Sequence, residues 1–209
     1  MLVALLSGFS SGLPLLLTGG TLQAWLHDAK VDVESIGLFA ATGLPYTLKF
    51  LWSPIFDRFV LPFLGRRRGW MLVIQLCLAA ALVLLGQSNP AISLWSVAVA
   101  ALIVAFVSAS QDIVVDAYRR ESLADNELGL GSGLFINGYR LAILVSGALA
   151  LILADRIPWS SVYLVMAGAL TVGVVATFIA VLFATQVSIL LPLALWLGSR
   201  SRQKQHITW

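Results

Sequence analysis

"GLPYTLKFLWSPIFDR", residues Gly43 to Arg58, is apolar over most of its length, yet Lys49 stands in its middle. Pro45 and Pro54 lie about one helical turn away on either side, and the stretch ends in the pair Asp57-Arg58. How it folds depends on the solvent it meets, and the rest of the chain identifies that solvent. The 209 residues are 59% hydrophobic and only 11% charged, with a mean hydropathy of +0.93. Soluble domains carry about 25% charged residues, so this chain has too few polar groups to cover a globular surface. Runs of 18 or more largely apolar residues read as bilayer-crossing helices, since about 20 residues at 1.5 Å rise cross a ~30 Å hydrocarbon core. The chain reads as an all-α integral membrane protein.

The formal net charge of +3 does not point to nucleic acid. The charges fall in short clusters between apolar runs, as suits loops at an anionic membrane face. Cys77, the single cysteine, lies inside an apolar run, so no internal disulfide is available. Residues 1–26 do not read as a secretory signal, because no basic segment precedes the apolar run, which is itself too long.

Six spans are predicted, at about 2–25, 35–55, 69–87, 92–116, 129–153 and 160–183. They make up a transmembrane domain over 1–183, followed by a cytoplasmic or interfacial basic tail over 184–209. Orientation follows from Lys and Arg in short loops. One face receives Arg58, Arg66, Arg67, Arg68, Arg119 and Arg120 with the tail's Arg200, Arg202 and Lys204, whereas the other receives only Lys30 and Arg156. That asymmetry puts both termini in the cytoplasm. The tail's "SILLPLALWLG" is too short to span and reads as an interfacial extension.

Ionisable residues at membrane depth cost several kcal/mol unless paired or wetted, so each marks a candidate site. Lys49 lies low in the second span, where its stem either snorkels to the headgroups or turns into a cavity. The flanking prolines favour the cavity, because broken helices are tolerated where backbone lines one. Asp112 and Asp116 in "SASQDIVVDAYRR" are four residues apart and share a helical face. Asp112, deeper and preceded by Gln111, is the candidate for proton coupling, with an ion pair that only fixes packing as the alternative. Asp116 is expected to pair with Arg119 or Arg120. Arg140, near the middle of the fifth span beside Asn137 and Tyr139, needs an anionic ligand, water or a fixed salt bridge.

Gly129 and Gly133 form a small-xxx-small pair that would let helices approach closely. "GFSSG" (Gly8–Gly12) matches the pattern of a hydrolase nucleophile elbow, but it lies in an apolar span, and the only histidines are His27 and His206. "HDAKVD" and the D-x3-D of Asp112 and Asp116 are equally weak enzyme signals. No metal-ligand cluster and no Walker-type phosphate loop occurs in the sequence, and no cofactor is implied. An enzyme is not expected.

Four stretches carry a resemblance: "SGLPLLLTGGTLQAWL", "IGLFAATGLPYTLKFLWSPIFDR", "GRRRGWML" and "SASQDIVVDAYRRE". Together, over about residues 7–180, they resemble the AmpG-type muropeptide permeases of the major facilitator superfamily, which are related to acetyl-CoA transporters. "DRFVLPFLGRRRG" is similar to the superfamily's loop between helices two and three. The resemblance implies that Asp57, Arg58, Arg66, Arg67 and Arg68, with Asp116 and Arg119, form a charge network at a cytoplasmic gate. It also implies one half of a major facilitator fold, built as 3+3 inverted repeats, in a bacterial inner membrane. The activity implied is proton-driven import of anhydro-muropeptides for peptidoglycan recycling. Lys49, Gln111, Asp112, Asn137, Tyr139 and Arg140 are the candidates for substrate or proton contact, and lipid, protons and a muropeptide are the expected partners. Since the family's later helices are not recognisable after span six, a transport-dead truncated half and a half completed by a second chain or by dimerisation are alternative expectations.

Overall fold

The computed structural model describes residues 1–59, 61 and 66–182, and every element among them is helical. The tail over 184–209, with the interfacial extension expected in it, lies outside the described residues, as does the side chain of Arg66. Helix α1 (Leu2–Thr18) runs through Pro14 and breaks at Gly19 before α2 (Gly20–Asp28) continues it. A left-handed residue, Lys30 at φ 62°, turns the chain. The Asp32 carboxylate then accepts the Ser35 N–H at 2.7 Å, capping α3 (Val33–Leu38).

The segment quoted at the outset is helical but jointed. A 3₁₀ turn (Phe39–Gly43), α4 (Leu44–Leu48), a second 3₁₀ turn (Lys49–Leu51) and α5 (Ser53–Arg58) follow one another. Pro45 and Pro54 each fall in the first turn of a new piece, where a missing N–H costs no helical hydrogen bond. The long helices α6 (Arg66–Gln87) and α7 (Leu94–Ser122) come next, and Ser93 caps α7 by accepting the Ser96 N–H at 3.2 Å. Helix α8 (Leu128–Leu144) passes through a π turn (Val145–Leu149) into α9 (Ala150–Ala154). Helix α10 (Trp159–Ala169) continues beyond a turn at Leu170 as α11, residues 171–182.

Among the described residues, five stretches are long and apolar enough to cross a membrane: Leu2–Asp28, Arg67–Gln87, Leu94–Ser122, Leu128–Ala154 and Trp159–Leu182. The chain is thus a multi-pass membrane protein. These five coincide with five of the six predicted spans. The other, 35–55, is present as short pieces, none of them long enough by itself.

Inward faces follow helical spacing: Leu78, Leu82 and Leu85 on α6 meet Val97, Ala101 and Val104 on α7 in one core with Leu13 and Leu17 of α1. Outward faces are equally apolar, with Leu76, Leu84, Trp95, Leu102 and Phe106 exposed. A helix apolar all round suits lipid on one side and protein on the other.

Close approach is concentrated between α1 and α8, the most extensive helix pair. A Cβ on Gly8 would strike the Phe135 carbonyl, one on Gly12 the Tyr139 backbone and ring, and one on Gly138 the Leu5 carbonyl. The expectation for Gly129 and Gly133 does not hold, because nothing among the described residues lies within 4 Å of where their Cβ atoms would be. The small-xxx-small spacing that brings two backbones together is Gly8–Gly12, the "GFSSG" stretch.

Candidate functional site

Asp112 sits on α7, with carboxylate oxygen Oδ1 buried and without a hydrogen-bond partner among the described residues. Around it stand Ser11 of α1, Lys49 of the second 3₁₀ turn, Tyr46 of α4 and Tyr139 of α8, all within electrostatic reach, with Asp116 one turn along α7. Three features of the sequence make this geometry. The 3₁₀ turn that carries Lys49, between the pieces begun at Pro45 and Pro54, packs beside α7. Gly12 lets α8 approach until Tyr139 touches α1. Helical spacing puts Ser108 and Asp112 on one face of α7.

Gln111, 1% exposed, donates from Nε2 to Ser10 Oγ at 2.7 Å, while its Oε1 has no partner among the described residues. Lys49 is half-buried and its charge acts on Asp112. Arg140 and Asn137 are exposed on α8, three residues apart, and Asn137 Nδ2 donates to the Gly133 carbonyl at 2.9 Å. No hydrogen bond or ion pair joins Arg140 to Asp112 or Lys49 among the described residues. The structure therefore gathers Lys49, Gln111, Asp112 and Tyr139 and leaves Asn137 and Arg140 on an open face.

The charge network is centred on Arg67, whose side chain is 8% exposed. Its Nη2 lies 2.7 Å from Asp57 Oδ1 and 2.6 Å from Glu121 Oε1, Nε reaches the same Glu121 oxygen at 2.9 Å, and Nη1 donates to the Phe56 carbonyl at 3.4 Å. A rigid guanidinium fork serves three acceptors on α5 and α7 at once, as an ammonium could not. Phe56, Met71, Ile74, Val114 and Val115 form a separate apolar cluster that holds these helix ends together. Asp116 pairs with Arg119 at 2.9 Å, as expected, and Arg119 also lies 4.2 Å over the Phe135 ring. Arg68 stacks on Tyr118 at 5.8 Å, and Arg58 is exposed. Glu121 was not among the sequence candidates. Its signal was present at the end of "SASQDIVVDAYRRE", but only tertiary packing shows that it skips the adjacent arginines for Arg67.

At the opposite end Trp25 stacks on Trp159 at 6.1 Å and tilts against Tyr163 at 5.1 Å. The Tyr163 hydroxyl donates to the Leu17 carbonyl at 2.8 Å, and Trp159 Nε1 to Asp28 Oδ2 at 3.0 Å.

The family described as Acetyl-coenzyme A transporter 1 matches residues 1–204. The anhydromuropeptide permease of Escherichia coli K12 is 47% identical over 179 residues, covering 85% of this chain and 36% of the relative. An uncharacterized protein of Haemophilus influenzae is 48% identical over 177 residues, 42% of its length. A putative transporter AmpG 4 of Rickettsia conorii is 36% identical over 151 residues, covering 71% of this chain and 36% of the relative. The chain thus spans well under half the length of the curated relatives it matches, and those with assigned roles are permeases and transporters, not enzymes. From residue 1 through the fifth long helix, the chain belongs to the acetyl-coenzyme A transporter 1 family and is a homologue of the AmpG-type anhydromuropeptide permeases.

Proposed function

We propose that the chain forms one half of a secondary active transporter that imports anhydro-muropeptides, with protons, across a bacterial inner membrane. In this reading the jointed segment over 35–55 is a sixth span and both termini are cytoplasmic. Helix pairing supports 3+3 inverted repeats. The first span packs on the fifth as the fourth packs on the second, and the third meets the sixth. These pairings exchange when the two triplets are swapped, as internal repeats require.

The observation that carries the reading is the membrane-depth carboxylate Asp112, with a buried oxygen that lacks a well-formed hydrogen bond among the described residues and Lys49 close by. Such a group is costly at that depth and is retained where it serves a pathway. Asp112 takes up the proton, with Gln111 and Tyr139 shaping its surroundings. Lys49, Arg140 and Asn137 meet the anionic sugar-peptide. The Arg67 network, with Asp57, Glu121 and neighbouring Arg58, Arg66 and Arg68, latches the cytoplasmic end. Arg119 and Asp116 sit beside it.

Accumulation of labelled anhydro-muropeptide in vesicles, with and without an imposed pH gradient, tests this directly. Asp112→Asn and Arg140→Ala are expected to abolish gradient-driven uptake while leaving membrane insertion intact. Undiminished uptake by both variants would remove the site assignment.

A second reading is that this half works only with a second chain or a second copy. Crosslinking in membranes is then expected to give one discrete larger species. A transport-dead chain is the outcome if vesicles show neither uptake nor such a species.

A further inference from the structure

Inside the bundle, between α1, α6, α7 and α11, runs a line of polar side chains that the hydrogen-bond pattern leaves half satisfied. The hydroxyls of Ser7, Ser11, Tyr46 and Ser108, the Gln111 Oε1, the Gln75 Nε2 and the Asp112 Oδ1 are all buried without a well-formed hydrogen bond among the described residues, with Ser11 beside Asp112 and Ser108 beside Tyr46. Ser7, Ser11, Ser108, Gln75 and Gln111 are each 2% exposed or less. Two hydrogen bonds fix the frame, from Gln111 Nε2 to Ser10 Oγ at 2.7 Å and from Thr177 Oγ1 to Gln75 Oε1 at 2.9 Å. Ser10 Oγ and Gln75 Nε2 both crowd the point where a Cβ on Gly173 would sit, so the two amides converge on Ser10.

Each buried polar group left unmatched costs free energy, more so in a membrane interior where lipid offers no donor or acceptor. Ser11 with Asp112 and Ser108 with Tyr46 can serve one another in part. Ser7 Oγ, Gln75 Nε2 and Gln111 Oε1 remain without a bond among the described residues, and buried waters making two to four hydrogen bonds are the usual remedy. The donors and acceptors suit water and not a metal cation: Gln75 Nε2 is a donor, and Lys49 already brings positive charge to Asp112. One end of the line is open. Ser7 forms part of the wall of a cavity of about 320 Å³ bounded by Val115, Tyr118, Arg119, Ser122 and Phe135.

We infer that Ser7, Ser10, Ser11, Gln75, Ser108 and Gln111 hold a file of water that joins Asp112 to the cavity beside Arg119. Resting on the proposed function, this file is the exit for the transported proton. The Asp112 carboxyl O–H bond breaks, a water accepts the proton, and the charge passes by successive water-to-water transfer to the Arg119 end. The charged and titratable groups facing Asp112 along this route are Lys49, Tyr46, Tyr139 and Asp116.

Silver ion, small enough for a narrow aqueous path, is the probe. In a Cys77→Ser background, single cysteines are placed by Ser7→Cys, Ser10→Cys, Ser11→Cys and Ser108→Cys, with Leu13→Cys and Leu17→Cys as buried apolar controls. Thiols left free by a timed Ag⁺ exposure are counted by maleimide after denaturation. Because a thiol reacts through its water-favoured thiolate, the four serine positions are expected to react at least about tenfold faster than the two leucine positions. Reaction at Ser7→Cys alone, or rates at Ser10→Cys, Ser11→Cys and Ser108→Cys as slow as at Leu17→Cys, would overturn the file. Protection by sodium but not by choline would overturn it in favour of a cation site. The measurement involves no transport, so reactive thiols in a chain that imports no muropeptide would sink the proposed function and leave the water file standing.

Discussion

Arg67 shows why a single side chain can matter more than the cluster that contains it. Three consecutive arginines look equivalent in the sequence, yet Arg67 is buried against Asp57, Glu121 and the Phe56 carbonyl while Arg68 stacks on Tyr118. Because both carboxylates are about half exposed, solvent screens part of the attraction. Arg67→Ala is expected to destabilise the fold by about 1–3 kcal/mol, measured as thermal unfolding in detergent, and Arg68→Ala by less than about 1 kcal/mol. Equal losses would show that the burial of Arg67 carries no special weight. Asp32 gives a pH-dependent counterpart in the connector. The Ser35 N–H holds its carboxyl below the ordinary carboxylate range. A depressed folded-state value means that the cap contributes above the unfolded value of about 3.9 and is lost as pH falls through the lower folded value. Hydrogen exchange at Val33–Leu38, corrected for intrinsic rates, should be flat above about pH 5 and rise below about pH 4, with Asp32→Asn removing the step. A wild-type profile without a step would remove the cap from the account.

Between elements, the α1–α8 contact turns on which glycines have a neighbour. Gly138→Ala forces a methyl into the Leu5 carbonyl and Gly8→Ala one into the Phe135 carbonyl. Each is expected to cost about 1–3 kcal/mol, because helix backbones rather than flexible tips would have to move. Gly129→Ala and Gly133→Ala, with nothing among the described residues within 4 Å of the added methyl, should leave stability unchanged or raise it by up to about 1 kcal/mol through helix propensity. Thermal melts of the four variants check the contrast, and a melt of Gly138→Ala matching wild type would dissolve it. This is also where sequence reasoning was weakest. Spacing alone offers Gly8–Gly12 and Gly129–Gly133 as equals, and only the partner helix distinguishes them. The serines between Gly8 and Gly12 drew attention as a possible catalytic turn, which hid the packing role of the glycines.

For the molecule as a whole, the membrane solvent and the long helices were readable because they rest on sums: charge fraction and run length accumulate over many residues. Five predicted spans match long helices, four of them within three residues at each end, while the helix at Leu94–Ser122 runs past the predicted end at 116. Lys49 and Asp112 were readable because a charge in an apolar run is conspicuous, and Pro45 and Pro54 placed the joints correctly. The Arg67–Glu121 pair and the buried polar line were not, since serine and glutamine in an apolar run look ordinary until four helices bring them face to face. The two 3₁₀ turns, five residues at Phe39–Gly43 and three at Lys49–Leu51, carry a mechanical corollary. Such a winding advances about 2.0 Å per residue against 1.5 Å for α. Rewinding both as α would shorten this rod by roughly 4 Å and carry the ammonium of Lys49 along its axis past a stationary Asp112, as a screw thread converts rotation into travel.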